Sequence, residues 1–329
     1  MKLASLKEGG RDGALVVVNR DLSAAVRATG IAPTLQAALD DWTRCAPMLE
    51  TLYAELEGGG REDAFSFDQR LAHSPLPRAY QWSEGSVYLA HLERCRRATN
   101  RYLPATLYEE PAMYQGASDS FVGPRDSIIV HDEAWDIDLE AGICVITDDV
   151  PMGVGRDSAA AHIKLVLLVN DVSLRALQPA EMAKGLGVLQ CKPANAFSPV
   201  AVSPGTLGEA WAGAMLSRPV VSRVNGTLLG QPDGATDASF DFRDLISHLA
   251  RTREIEAGSI IGVGTVANRD ESRGTSCILE KRALEILSGG VPTTPFLKHG
   301  DKVRIEAFHE DGVSIFGVIE QAVVCSRRS

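Results

Sequence analysis

Two hydrophobic periods alternate along this chain and divide it into elements. The stretch 13-GALVVVN-19 reads as a strand, and 162-HIKLVLLVND-171 is a continuous apolar run of the kind buried on both faces of a sheet. In 223-RVNGTLLG-230 the Asn-Gly pair predicts a tight hairpin, and residues 301–324 read as two alternating strands around His309-Glu310-Asp311-Gly312. A period near 3.6 governs residues 34–56, where Leu35, Ala38, Leu39, Trp42 and Cys45 share a face, Thr34 is a plausible N-cap and Pro47 a kink. Further helices are predicted over about 86–100 and over 240–252. GGGRED (58–63) closes the first segment and SPLPRAY (74–80) reads as an extended linker. The pattern predicts an α+β protein that is mostly β, with a small N-terminal α/β domain over residues 1–72 and a β-rich domain over 73–329.

One strand pattern carries charges where a core is expected. In 133-EAWDIDLEAGICVI-146, Asp136, Asp138 and Glu140 alternate with Ile137 and Leu139 before an apolar run. Residues i and i+2 on one strand face stand roughly 6–7 Å apart, close enough for like charges to repel. A solvated strand face would tolerate them; so would a divalent cation of the hard, oxygen-seeking type. Asp171 raises the same question, since a carboxylate at the end of a buried strand is costly unless paired or metal-bound. Arg175 and Gln178 follow at helical spacing, so Arg175 is a candidate ion-pair partner for Asp171. Seven residues separate Glu84 from His91, which a helix would bring to one side two turns apart. Glu280 ends the apolar stretch 274-GTSCILE-280. Carboxylates beside an oriented His suit water activation next to a metal-bound oxyanion.

Composition narrows the classes. The chain has 329 residues, 45% of them hydrophobic and 23% charged, with a net charge of −10. That balance argues against nucleic acid or an anionic membrane as partner, because both need a basic patch. No run approaches a membrane span, and MKLASLKEGGRDG lacks the apolar core of a signal peptide. Six widely spaced cysteines without a C-x-x-C pair fit reduced thiols and a cytoplasmic location.

Taken in order, PAMYQGASDS (111–120), DLE (138–140), NDVSLRALQ (170–178) and GVGTVANRD…GTSCILE (262–280) resemble the fumarylacetoacetate hydrolase family, and specifically the short bacterial enzymes of tyrosine degradation. The resemblance runs from Glu84 to the end and takes in the N-terminal MKLASLKEGGRDGALVVVNRDL. It implies the family's mixed β-sandwich roll and a divalent cation, Mg²⁺ or Ca²⁺, held at Glu84, Asp138, Glu140 and Asp171. It further implies His91 as the base and Glu280 as its orienting acid. Arg175, Gln178 and Lys192 fall on oxyanion- and substrate-binding positions, with Tyr114 and Thr265 as further substrate contacts. The chain departs from the family at Glu84 (Asp in the eukaryotic enzymes), Asp138 (usually Glu), Ser86 (Tyr) and Ala196 (Thr), and Arg96, Arg97 and Arg101 compete for one family arginine. The implied activity is hydrolysis of fumarylacetoacetate to fumarate and acetoacetate in tyrosine and phenylalanine catabolism, by a homodimer acting on a small diketo acid. Acylpyruvate hydrolysis, β-keto acid decarboxylation and isomerisation are rival reactions on the same scaffold, and a noncatalytic metal-stabilised binding protein is the rival from another class.

Overall fold

The computed structural model describes residues 1–326. Its largest element is an open mixed sheet, ordered Phe65–Ser66, Ala24–Arg27, Ala14–Val18, Lys2–Leu6, Ala201–Val202, Ile163–Asn170, Ala141–Thr147, Ile260–Thr265, Trp82–Ser86 and Ala112–Gly116. Neighbours run antiparallel except Ile260–Thr265 beside Trp82–Ser86. The N-terminal strands join this sheet directly, through Lys2↔Val202 and Leu3↔Ala201. A second sheet is ordered Thr227–Gly230, Val221–Val224, Lys302–Glu306, Ile319–Cys325 and Ile128–Val130.

Period two in the central strands explains the layering. Ile143, Val145, Val166 and Leu168 share one apolar cluster with Val303, Ile305, Ile319 and Val323 of the second sheet. The alternate residues Cys144, Ile146, Leu165, Leu167 and Val169 belong to another cluster, which includes Leu35, Leu39, Leu49, Leu52 and Leu56 of the early helices. Both faces of the large sheet are therefore covered, as the unbroken run KLVLLV requires.

Several elements form as the pattern predicts. Thr34 caps the helix Leu35–Leu39 by accepting from the Ala37 amide, and Asp241 caps Phe242–Leu249 in a capping box with Asp244. Asn225 and Gly226 both take positive φ (51° and 80°) in the turn between Val221–Val224 and Thr227–Gly230, the conformation that an Asn-Gly hairpin selects.

Four local expectations are corrected. The early helix breaks at Asp40–Asp41, and Pro47 lies within the continuous second piece, Trp42–Glu57. Glu84 and His91 do not share a helix: Glu84 is in the strand Trp82–Ser86 and the helix starts at Leu89. Asp171, Arg175 and Gln178 do not share one either, because a short strand (Ser173–Leu174) intervenes and the helix Gln178–Met182 starts where Pro179 fits its first turn. The acidic row is not one strand. Asp136 takes a left-handed φ of 56°, Ile137–Asp138 pairs with Ser173–Leu174, and a new strand begins at Ala141.

Candidate active site

Antiparallel pairing builds the centre of the site. Asn170 is registered with Ala141, so Asp171, just past one strand, lies beside Glu140, just before the other, and the Asp171 amide donates to the Glu140 carbonyl at 2.8 Å. Thr265 ends the neighbouring strand, paired with Gly142. Glu84 is registered with Gly262 on one side and Tyr114 on the other. A Cβ at residue 262 would come within 1.9 Å of Glu84 Oε2, so glycine there is what lets the Glu84 side chain take its course. Gly264 has φ +86°, and a Cβ on it would meet the Gly85 carbonyl at 2.3 Å.

Glu84, His91, Tyr114, Glu140, Asp171, Arg175, Gln178, Lys192 and Thr265 line one cavity of about 210 Å³. Two expected residues do not line it. Glu280 lies behind His91, fully buried, with Oε2 at 3.0 Å from His91 Nδ1 and Oε1 accepting from Arg94 at 2.7 Å. Asp138, also fully buried, turns away from the cavity. Its Oδ1 accepts from the Ile278 amide at 2.7 Å, and its Oδ2 accepts from the Leu279 amide and from Arg175 Nε, each at 3.0 Å. It thereby anchors the N-terminus of the helix Ile278–Leu287, an anion position that the backbone dipoles favour. Asp138 was expected among the cation's ligands; the break in the strand turns it instead onto that helix and onto Arg175.

Two buried cations thread the carboxylates. Lys192 Nζ donates to Glu140 Oε2 (2.8 Å), Asp171 Oδ2 (2.6 Å) and Ser173 Oγ (2.7 Å), which uses all three of its protons. Arg175 bridges Asp138 and Glu140, while its Nη1 reaches only Gln178 Oε1, at 3.5 Å. Tyr114 Oη donates to Asp171 Oδ2 at 2.6 Å, and Asn195 donates to Oδ1 at 2.9 Å. Burial works to raise the Glu140 carboxyl, but Arg175 and Lys192 hold it well below its ordinary range. Glu84 has no such help. Burial first, then the nearby Asp171, push its carboxyl well above the ordinary value, and its Oε2 has no hydrogen-bond partner among the described residues.

Charge and valence test the fit to a hard cation. With Glu84, Asp138, Glu140 and Asp171 ionised, Arg175 and Lys192 leave two negative charges uncompensated in a buried site. A divalent cation matches that excess, and the unpartnered Glu84 oxygen is a ready ligand. Glu84, Glu140 and Asp171 face the cavity and fit the group; Asp138 is engaged by Arg175 and the Ile278 and Leu279 amides.

At the base, burial opposes the charged form of His91, yet the sulfurs of Cys95 and Cys277 help to hold its pKa well above the ordinary value. Burial likewise works to raise the Glu280 carboxyl, but pairing with His91 and Arg94 holds it low. Ligand atoms of His91, Cys277 and Glu280 also lie within 4.8 Å of one another, a grouping able to hold a metal but of softer character than the carboxylate set.

Sequence reading missed Arg94, Asn195, Ser173 and the two thiols. Arg94 was detectable: it follows His91 by three on one helix, so both reach Glu280. Asn195 comes from an irregular segment whose approach no local spacing announces.

Comparison with known proteins gives this geometry a context. Residues 81–324 match the fumarylacetoacetate (FAA) hydrolase C-terminal family, and residues 1–78 match fumarylacetoacetase N-terminal domain 2. The chain belongs to the fumarylacetoacetate hydrolase family. Within it, the chain is 24% identical over 242 residues to oxaloacetate tautomerase YisK of Bacillus subtilis, covering 73% of this chain and 71% of that one. In fold it resembles a probable 2-hydroxyhepta-2,4-diene-1,7-dioate isomerase from Mycobacterium abscessus (TM-score 0.68, 16% identity, 100% of each chain). It also resembles a fumarylacetoacetate hydrolase from Exiguobacterium antarcticum (TM-score 0.62, 19% identity, 99% and 100% covered). The fumarylacetoacetate hydrolase family is enzymatic, and these relatives comprise a hydrolase, an isomerase and a tautomerase by name. No helix among the described residues is long and apolar enough to cross a membrane.

Proposed function

We propose that this protein hydrolyses a carbon–carbon bond of a 1,3-diketo acid, with fumarylacetoacetate as substrate and fumarate and acetoacetate as products. The observation that carries this reading is the His91–Glu280 pair, which abuts the cavity lined by Glu84, Glu140 and Asp171.

Glu280 engages His91 Nδ1, so in the neutral imidazole, a form that the raised pKa favours only towards alkaline pH, Nε2 is the atom that takes a proton from water. The hydroxide adds to the carbonyl on the fumaroyl side, and the bond to the acetoacetate carbon breaks with its electron pair on that carbon. His91 then returns the proton there, which closes the balance at one water consumed. Arg175 Nη1 and Gln178 are the donors with capacity left for substrate oxygens, because the rest of the Arg175 fork is spent on Asp138 and Glu140. Lys192, with its protons committed, acts by fixing Glu140 and Asp171 and by adding positive charge beside the developing oxyanion. Tyr114 steadies Asp171, and Thr265 lines the wall that the substrate meets. Glu84, Glu140 and Asp171 would hold a divalent cation, Mg²⁺ or Ca²⁺, whose contribution when bound is Lewis-acid stabilisation of charge on the keto oxygens.

The reading carries with it a role in tyrosine and phenylalanine breakdown, in the cytoplasm and as a homodimer. A second reading, keto–enol tautomerisation, draws support from the likeness to YisK, since His91 could move a proton without activating water. Steady-state assays with fumarylacetoacetate, a simple acylpyruvate and oxaloacetate, each with and without chelator, decide between them. Chelator-sensitive release of fumarate and acetoacetate from fumarylacetoacetate is expected. Ketonisation of oxaloacetate with no cleavage of either diketo acid would replace hydrolysis by tautomerisation.

A further inference from the structure

We infer that His91 also forms one corner of a second, softer metal site, built with Cys277, Glu280 and Cys95, that takes Zn²⁺ and silences the enzyme. The silencing rests on His91 being the base proposed above; the binding does not.

A ring nitrogen of His91, Sγ of Cys277 and a carboxylate oxygen of Glu280 lie mutually within 4.8 Å. Cys95, one helical turn after His91, brings its Sγ to 3.9 and 4.0 Å from the two ring nitrogens. Around a tetrahedral zinc with bonds of ~2.0–2.3 Å, ligand atoms stand about 3.3–3.8 Å apart. His91, Cys277 and Glu280 are thus within about 1–1.5 Å of bound spacing, Cys95 is at near-bound distance from His91, and side-chain rotations would have to supply the rest. Its members sit on adjoining parts of two packed helices: His91 and Cys95 on Leu89–Arg97, Cys277 as the N-cap of Ile278–Leu287, and Glu280 in that helix's first turn. His91 and Cys95 line the cavity, which gives an ion its way in.

Ligand chemistry separates this site from the carboxylates. Thiolate and imidazole select zinc over magnesium or calcium, whereas carboxylate oxygens favour the hard cations. Neither thiol is in a disulfide, and neither has a role in the proposed hydrolysis. On binding, the Cys277 and Cys95 S–H bonds break, two S–Zn bonds form and both protons leave to water. The two thiolates and the Glu280 carboxylate, less the charge of Arg94 already paired with Glu280, leave two negative charges to match the ion. His91 gives its lone pair to the metal and no longer accepts a proton from water.

The test titrates the whole protein, kept in saturating Mg²⁺, with Zn²⁺ and separately with Co²⁺. One tightly held zinc per chain is expected, together with a sulfur-to-cobalt charge-transfer band in the near ultraviolet. Zinc should inhibit turnover in a way that chelator reverses and added Mg²⁺ does not. Cys277→Ser should weaken the band and lower zinc affinity tenfold or more, and Cys95→Ser should weaken both less. Because Cys277 is fully buried and its substitution puts folding at risk, the wild-type band and the Cys95→Ser titration stand as independent readouts. Absence of the band, or zinc affinity unchanged in both variants, overturns the site. If the band forms but no diketo acid is ever turned over, the soft site stands and the hydrolase reading falls.

Discussion

His91 and Asp138 are both held by hydrogen bonds to buried partners, yet substituting them should have opposite consequences. His91 lines the cavity and its Nδ1 is engaged by Glu280, so His91→Ala removes the base and one of the two partners of Glu280. A loss of about 10²–10⁴ in kcat is expected with cation content near wild type, and with some loss of stability because Glu280 keeps only Arg94 as partner. Steady-state kinetics together with metal analysis check this; near-normal turnover would assign the proton transfer to another group. Asp138 carries the contrary expectation. It neutralises Arg175 and caps the helix bearing Glu280, so Asp138→Asn leaves a buried guanidinium short of a partner. Breaking a buried pair costs ~3–5 kcal/mol, and that loss should appear in urea denaturation while the cation stoichiometry stays intact. Loss of the cation at unchanged stability would return Asp138 to the ligand set. The resemblance implies Asp138 as a ligand by position, and the alternation of Asp138 with Glu140 independently reads as one strand face. Whether a strand stays continuous between two residues is decided by their partners, here Ser173 for Asp138 and an isolated bridge to Cys277 for Glu140.

At the scale of elements, long runs of one period were legible and short irregular joints were not. KLVLLV, the capped helix after Asp241 and the Asn-Gly hairpin follow local rules strong enough to read directly. Glu84 with His91, and Asp171 with Gln178, were read as helical spacings. They meet instead because separate strands and helices end at one edge of the sheet. Their convergence was legible only through the resemblance, since no local rule pairs residue 84 with residues 140 and 171. The same edge makes the strand Ile260–Thr265 a sensitive point. Gly262→Ala places a methyl where Glu84 Oε2 lies, with backbone on both sides unable to yield. Because the Glu84 carboxylate must swing away, cation affinity should fall by at least tenfold while the sheet persists. Isothermal titration with Mg²⁺ beside a circular dichroism spectrum tests it, and undiminished affinity would remove Glu84 from the ligands.

The whole molecule encloses more buried negative charge than its two site cations offset, and this gives its stability a pH dependence with a definite sign. Glu84, Asp138 and Asp171 have carboxyls raised by burial, so the folded state binds their protons more tightly than the unfolded chain does. For such groups stability is greatest below the ordinary carboxyl pKa of about 4 and declines as pH climbs towards the folded values. Glu140 and Glu280 are shifted down, so their contribution is present above that range and is lost only in acid. Above pH ~5, therefore, the raised group governs the slope in the cation-free protein. A divalent cation favours exactly the ionised forms that burial disfavours, and its stabilisation follows RT ln(1 + [L]/Kd), about 2.7 kcal/mol at a hundredfold excess over Kd. Since Kd itself tightens as Glu84 ionises, the gap in Tm between Mg²⁺-saturated and chelated protein should widen steadily from pH 5 to pH 8. Differential scanning calorimetry across that interval measures it directly. A gap that stays constant, or narrows, would mean that Glu84 is already ionised without the cation and that the uncompensated charge resides elsewhere in the molecule.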